Sequence, residues 1–384
     1  MRLPSKYING TQGPYNPAAI RLPNTGDWLA FFRIEEVWFG LSKFAKMGTN
    51  LEERMRSHPL LVKMGNGTLP STGAPAEVRM FDLDEGYRHL AKIEGAQVYK
   101  AADWRPFLWR NELYVGHWIA YMPGQERMAI SKVDLQNGVM RLVHRFSTLS
   151  SCTENSLMPN QGVKQPGVLT LLDILSMGQA RKKEEFRREK NWGFWEDNGK
   201  LYILYGILPC TVVLEFNPDQ PSQPSVRSRT CYVPEMLSIL QASGLDMMSK
   251  QIHLSGNPVP WDIDRGSSHE ELFVMLHAKN PEYVNWAVRM DRKTHSITHI
   301  TAGPLLRNQD YRNEGFLKTA LVVSSFHVLP RDGEPGATLV RIFYGEGDRY
   351  GCWLDINTES IVWHKLGRAK MVTVQRKFLR VAPM

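Results

Sequence analysis

The chain has 384 residues, of which 42% are hydrophobic and 22% are charged, and this ordinary composition excludes a disordered or fibrous protein. The net charge of +8 and the isoelectric point of about 9.2 favour an anionic partner. The dense basic stretch at 181–190 is interleaved with acids, which is typical of a solvated helix, so nucleic acid is not an expected partner.

The cysteines and the apolar segments limit the cofactors and the location. The four cysteines form no C-x-x-C pair, so we predict neither a metal site nor a cofactor. The N-terminal segment lacks the apolar core of a signal peptide, and no run of about 18 apolar residues could span a bilayer. We therefore expect a cytoplasmic protein with reduced thiols and no membrane partner.

The aromatic and turn-forming residues favour many short strands. The chain contains 11 Trp, 13 Tyr and 15 Phe together with 30 Gly and 23 Pro. Closed all-β folds grow by adding repeats and remain one unit. We therefore predict that residues 1–384 form a single all-β domain.

Five segments repeat one pattern, in which a short aromatic and aliphatic strand usually follows a polar turn. In chain order they are Trp28–Arg33, Leu113–Trp118, Leu201–Gly206, Leu272–His277 and Val340–Gly345. Nearly continuous apolar strands are buried on both faces, as in sheets stacked around a central axis. The repeat predicts a five-bladed β-propeller, and an all-β sandwich or two stacked barrels is the alternative.

A few stretches are predicted to be insertions in this scaffold. Leu41–Pro59 and Leu169–Lys190 carry apolar residues at helical spacing, and Met236–Leu245 is a third, shorter helix candidate. Residues 217–228 are rich in Pro and Ser and are predicted to form a loop.

Polar residues near the ends of the strands would converge on the axis if the innermost strands line a central channel. They form five pairs, which are Asn16 with Arg33, Asp103 with Arg105, Lys190 with Asn191, Asp264 with Arg265, and Tyr344 with Asp348. Such a mixture of carboxylates and cations suits a neutral sugar beside an anion, because Arg and Lys bind phosphate well.

These motifs resemble those of glycoside hydrolase family 130, the β-mannoside phosphorylases. Tyr344-Gly-Glu-Gly-Asp348 is similar to the Tyr-Gly-x-x-Asp signature of that family's last blade. Ala102-Asp103-Trp104-Arg105 is similar to its Glu-Asp-Pro-Arg, with Ala and Trp in place of Glu and Pro. Tyr15-Asn16-Pro17-Ala18 and the later Arg33 are similar to its first-blade motifs.

Two further motifs extend the resemblance along the chain. Glu189-Lys190-Asn191-Trp192 lies where the family has a phosphate-binding Lys, and Arg265-Gly-Ser-Ser268 with His277 resembles its fourth-blade turn and strand-end His. The degraded Glu-Asp-Pro-Arg motif makes the chain similar also to glycosyltransferase family 108. That family contains protozoan enzymes that make β-1,2-linked mannan as transferases or phosphorylases.

The resemblance implies a role for each matched residue. Asp103 would be the general acid, which protonates the glycosidic oxygen through the 3-hydroxyl of the mannose. Phosphate would be bound by Arg33, Lys190, Arg265 and His277. Sugar hydroxyls would be bound by Asn16, Arg105, Asn191, Tyr344 and Asp348, and the candidates for stacking on sugar rings are Trp104, Trp118 and Trp192.

The sequence therefore predicts a mannosyltransferase or phosphorylase. It would move mannose between mannose 1-phosphate, or GDP-mannose, and a β-1,2-mannan oligosaccharide, with inorganic phosphate as the other partner. One alternative is a glycoside hydrolase, which would need a second carboxylate from Glu35, Glu36 or Asp264. The other is a non-catalytic propeller that binds carbohydrate or protein.

Overall fold

The computed structural model describes fourteen segments of the chain, and all structural statements below concern them. They are residues 12–35, 57–64, 77–93, 100–120, 127–146, 191–207, 210–220, 224–231, 252–261, 270–280, 282–307, 321–330, 338–346 and 350–366.

The strands of these segments form five sheets, which we call blades 1 to 5. Blade 1 consists of β1 (Gln12–Arg21), β2 (Trp28–Glu35), β3 (Ser57–Met64) and β4 (Glu77–Met80). Blade 2 consists of β5 (Asp82–Leu83), β6 (Lys100–Trp109), β7 (Glu112–Ala120), β8 (Arg127–Asp134) and β9 (Val139–Arg145), with helix α1 (Glu85–Ile93) between β5 and β6. Blade 3 consists of β10 (Gly193–Asp197), β11 (Lys200–Gly206), β12 (Cys210–Phe216) and β13 (Ser225–Cys231).

The last two blades share the C-terminal strands. Blade 4 contains β14 (His253–Trp261), β15 (Glu271–Asn280), β16 (Glu282–Asp291), β17 (Ile297–Thr301), β18 (Leu306–Arg307) and β22 (Trp363–Lys365). Blade 5 contains β19 (Leu321–Pro330), β20 (Thr338–Glu346) and β21 (Tyr350–Asn357). The chain therefore completes blade 5 before β22 returns to pair with β17 in blade 4.

The five sheets are arranged in a ring. The first long strands contact one another in the order β1, β6, β10, β14 and β19, and β19 returns to β1. Four blades have four or more strands, and the described part of blade 5 has three. The β-propeller prediction is thus confirmed. The five repeated segments are β2, β7, β11, β15 and β20, which are each the second strand from the axis.

Apolar side chains fill the spaces between successive blades. Separate buried clusters lie between blades 1 and 2, 2 and 3, 3 and 4, and 4 and 5. Between blades 2 and 3, Phe107 stacks on Phe194 with ring centroids 5.1 Å apart. A Cβ atom at Gly116 would collide with that Phe194 ring, so blade 2 requires glycine at this position. Burial on both faces explains why the second strands are nearly continuous apolar runs.

The observed elements differ from the predicted insertions at two places. Residues 57–59 belong to β3 and not to the predicted helix Leu41–Pro59, because they pair in register with β2. The rest of that helix, Leu169–Lys190 and Met236–Leu245 lie outside the described residues. The predicted loop at 217–228 ends earlier, since β13 begins at Ser225.

Helix α1 is an insertion that the sequence did not predict. It is anchored on blade 2 by Tyr87, whose hydroxyl lies 3.0 Å from His117 Nε2 and 2.5 Å from Ser131 Oγ. Tyr87, His117 and Ser131 are all fully buried. No helix in the described part of the chain is long and apolar enough to cross a membrane.

Candidate functional site

A residue with left-handed backbone recurs at the innermost strand of four blades. These residues are Asn16 (φ 51°), Asp103 (φ 58°), Asn191 (φ 66°) and Gly256 (φ 74°). In β1, β6 and β14 the pairing register with the second strand shifts at this residue, and Asn191 directly precedes β10. A bulge bends a strand and redirects its side chains. The repeat therefore presents equivalent residues of successive blades to the axis.

Asp103 is the carboxylate that this repeat places at the axis. Its side chain is 30% exposed, and its Oδ1 lies 3.3 Å from Nη1 of Arg33 in blade 1. Its Oδ2 accepts a hydrogen bond of 2.5 Å from the indole Nε1 of Trp118. Both carboxylate oxygens are therefore bound by protein donors while the group remains accessible to a ligand.

Arg105 lies two residues beyond Asp103 and is buried. Its Nη1 donates to the carbonyl oxygens of Trp192 (2.7 Å) and Gly256 (3.1 Å). Its Nη2 donates to the carbonyl oxygen of Leu254 (2.8 Å) and to Oδ1 of Asn191 (3.3 Å). One guanidinium thus ties blade 2 to the innermost segments of blades 3 and 4.

The charge of Arg105 persists in this buried position. Burial lowers the pKa of Arg105 to about 10, and the nearby Asp103 carboxylate opposes that shift. The side chain is therefore a cation at neutral pH. The structure brings Arg105 together with Asn191 as the sequence suggested, and the sugar-binding role of both residues stays a prediction.

Asn16 of blade 1 lies against Gly345 of blade 5. Asn16 is 8% exposed, and its Oδ1 has no hydrogen-bond partner in the described part of the protein. A Cβ atom at Gly345 would overlap Asn16 Oδ1 and lie 2.9 Å from the Asn16 backbone nitrogen. Tyr344 is buried in the apolar cluster between blades 4 and 5. Gly345 of the last-blade motif therefore leaves the space that the Asn16 side chain occupies.

His277 lies within β15 of blade 4 and not at its end, because the pairing with β16 continues to Asn280. It is buried, and its Nδ1 forms a 2.7 Å hydrogen bond with Oγ of Ser255, the residue before Gly256. The rings of His253 and His277 lie 5.5 Å apart. His277 is thus fixed beside the blade 4 bulge, and its phosphate-binding role stays a prediction.

Several candidates cannot be placed. Lys190, Arg265 and Asp348 lie outside the described residues, as do the possible second carboxylates Glu36 and Asp264, while Glu35 is the last residue of β2. No group of three or more His, Cys, Asp and Glu within the described segments is arranged to hold a metal ion.

Two of the three tryptophans suggested for sugar stacking are core residues. Trp104 and Trp192 are each 1% exposed and belong to the clusters between blades 1 and 2 and between blades 2 and 3. The stacking interpretation is therefore wrong for Trp104 and Trp192, because their rings are covered by neighbouring blades.

Sequence reasoning also missed a residue that joins the inner strands. Asn257 follows the left-handed Gly256, accepts a hydrogen bond from the backbone N–H of Phe194 and donates to the carbonyl of Pro106. Asn257-Pro258 repeats the pair at Asn16-Pro17, but Asn217-Pro218 and Asn280-Pro281 carry the same dipeptide, so it gave no specific signal.

No family model and no curated protein matches this chain. Solved structures do match it along almost its whole length. One is a β-1,2-mannobiose phosphorylase from Listeria innocua in complex with β-1,2-mannobiose, with 13% identity, a TM-score of 0.50 and coverage of 92% of each chain.

A second structure comes from glycoside hydrolase family 130, a family of mannoside phosphorylases that contains hydrolases of β-1,2 mannosidic linkages in Candida mannan. It has 11% identity and a TM-score of 0.50, and the match covers 91% of this chain and 86% of that chain. The predicted resemblance to this family is thus confirmed at the level of the fold.

Proposed function

We propose that this protein is a carbohydrate-active enzyme that transfers mannose between phosphate and a β-1,2-mannan oligosaccharide, as a phosphorylase or a mannosyltransferase. The observation that carries the proposal is the accessible carboxylate of Asp103 at the axis, held by Arg33 and Trp118. The solved structures of the same fold add support, since one of them is a mannobiose phosphorylase bound to its sugar.

The chemistry requires one carboxylate. During phosphorolysis, protonated Asp103 supplies a proton, through the 3-hydroxyl of the mannose, to the glycosidic oxygen. A phosphate oxygen bonds to the anomeric carbon while the bond from that carbon to the glycosidic oxygen breaks. The products are mannose 1-phosphate and a shortened oligosaccharide. Phosphate is already an anion and needs no general base.

Synthesis uses the same residue in its ionised form. The Asp103 carboxylate takes the proton of the acceptor hydroxyl, the acceptor oxygen bonds to the anomeric carbon, and phosphate leaves. The Arg33 guanidinium and the Trp118 N–H both favour the ionised form of Asp103. These contacts therefore prepare the free enzyme for synthesis.

The positive charge around Asp103 supports a phosphate-dependent reaction. Arg33 contacts the carboxylate directly, and the cationic Arg105 lies two residues away. Lys190 and Arg265 are proposed to complete a phosphate site. A hydrolase instead needs two cooperating carboxylates, one of which activates water.

The test is to incubate the protein with β-1,2-mannobiose and inorganic phosphate and to quantify mannose 1-phosphate and free mannose. The reverse assay supplies mannose 1-phosphate, or GDP-mannose in parallel, with a mannose acceptor. The expected products are released phosphate, or GDP in the parallel assay, and longer oligosaccharides. Free mannose at a rate independent of phosphate would establish a hydrolase, and binding without turnover would establish a non-catalytic propeller.

The Asp103→Asn variant tests whether Asp103 is the residue that transfers the proton. The two side chains are nearly isosteric, so folding and sugar binding should persist while proton transfer is lost. We expect the transfer rate to fall about 10²-fold or more. Wild-type turnover by a folded Asp103→Asn protein would remove Asp103 from the mechanism.

A further inference from the structure

The position of Trp118 in the sheet sets it apart from the other tryptophans. In blade 2, Trp118 on β7 pairs with Ala102, the residue directly before Asp103. In blade 1, Arg33 on β2 pairs with Tyr15, the residue directly before Asn16. Trp118 and Arg33 therefore occupy equivalent positions in neighbouring blades, beside the left-handed residue of each innermost strand.

These two equivalent residues converge on one carboxylate. Trp118 Nε1 donates to Oδ2 of Asp103, and Arg33 Nη1 contacts Oδ1. The Arg33 guanidinium also lies over the Trp118 ring, 5.8 Å from its centroid. The three side chains thus form a closed triangle in which each member contacts the other two.

This triangle is inconsistent with Trp118 as a platform for a sugar ring. Trp118 is 8% exposed, and the guanidinium covers one face of its indole. Its polar edge is directed at the carboxylate that the proposed reaction uses. The contact fixes the orientation of the Asp103 carboxylate and stabilises its ionised form.

We propose that Trp118 is a positioning residue, which holds the Asp103 carboxylate in its catalytic orientation through the indole N–H and carries Arg33 on its ring. This inference rests on the proposed mannosyl transfer by Asp103. Trp118 and Arg33, on the second strands of blades 2 and 1, thereby control the protonation of Asp103 on the innermost strand of blade 2.

The kinetic test is the Trp118→Phe variant, which keeps an aromatic ring beneath Arg33 and removes the N–H donor. In the synthetic direction we expect kcat to fall about 10- to 100-fold, with a smaller change in the KM for the acceptor, because a misplaced catalytic group costs mainly turnover. The acidic limb of the pH–rate profile should move to higher pH, since the ionised carboxylate has lost a donor.

Trp109→Phe is a matched control in the same blade. Trp109 is 2% exposed, and its Nε1 has no hydrogen-bond partner among the described residues. Removing that N–H should therefore leave kcat and the pH–rate profile unchanged. Equal kinetic effects of Trp109→Phe and Trp118→Phe would show that loss of any buried indole is sufficient, and would overturn the proposal.

A measurement without turnover separates this inference from the proposed function. In protein labelled with ¹⁵N-tryptophan, the Trp118 indole N–H resonance is expected to lie downfield and to shift with pH as Asp103 ionises. In Asp103→Asn it should move upfield and lose its pH dependence, and its absence from the Trp118→Phe spectrum assigns it. An unchanged resonance in Asp103→Asn would refute the contact, whereas a changed one without mannosyl transfer would refute only the proposed function.

Discussion

Replacing Arg105 with methionine tests whether this residue holds the inner strands together. The substitution keeps a long side chain but removes all the N–H donors. It leaves the carbonyl oxygens of Trp192, Leu254 and Gly256 without the hydrogen bonds that the guanidinium supplies. Asn191 also loses a donor to its side-chain oxygen.

The size of the effect follows from these four bonds. The two short bonds, of 2.7 and 2.8 Å, are made by a charged donor, and such bonds contribute about 1.5–3 kcal/mol each. Methionine avoids the cost of burying a charge, which offsets part of the loss. We expect the free energy of unfolding to fall by about 3–5 kcal/mol. With an unfolding entropy of about 2.1 cal/mol/K per residue over 384 residues, the melting temperature should fall by about 4–6 °C.

Differential scanning calorimetry and urea unfolding measure this effect, with Arg110→Met as the control. Arg110 is 54% exposed and pairs with Asp219 on the surface, so its removal should shift the melting temperature by about 1 °C or less. An Arg105→Met protein that has the melting temperature of the wild type but no longer binds mannobiose would refute the reasoning. That result would show that the guanidinium faces the sugar.

Two other predictions concern pH and substrate affinity. Burial lowers the pKa of His117 to about 4 from 6.5, so below pH 6.5 the unfolded chain binds a proton that the folded protein does not, and stability falls. Between pH 7 and 4.5, the free energy of unfolding measured in urea should fall by about 2–3 kcal/mol more for the wild type than for His117→Gln. The same pH dependence of that free energy in both proteins would contradict this. Gly345→Ala should displace Asn16 and raise the KM for the mannoside about 10-fold with little change in kcat, whereas an unchanged KM would separate Asn16 from the sugar.

The sequence by itself determined the strands that are buried on both faces. Such strands need nearly continuous apolar runs, and each predicted run is the second strand of a blade. It also determined local turns, because their conformation depends on adjacent residues. Asn198-Gly199 is an example, with both residues in the left-handed backbone that a tight hairpin between β10 and β11 requires.

Short or mostly polar elements were not determined locally. Helix α1 carries little apolar signal and is held by contacts of Tyr87 with blade 2. Strand β22 has three residues, and its place in blade 4 follows from pairing with β17 after the chain has passed through blade 5. Their stability depends on partners that are distant in sequence.

The tertiary structure alone decided what each polar residue of the site contacts. The sequence singled out Asp103 and Arg33, but their contact across 70 positions exists because blades 1 and 2 are neighbours in the ring. It singled out Arg105 as a site residue, and the packing of blades 2, 3 and 4 places three backbone carbonyls around that guanidinium. A motif records which donors and acceptors are present, and the packing of the blades decides which of them meet.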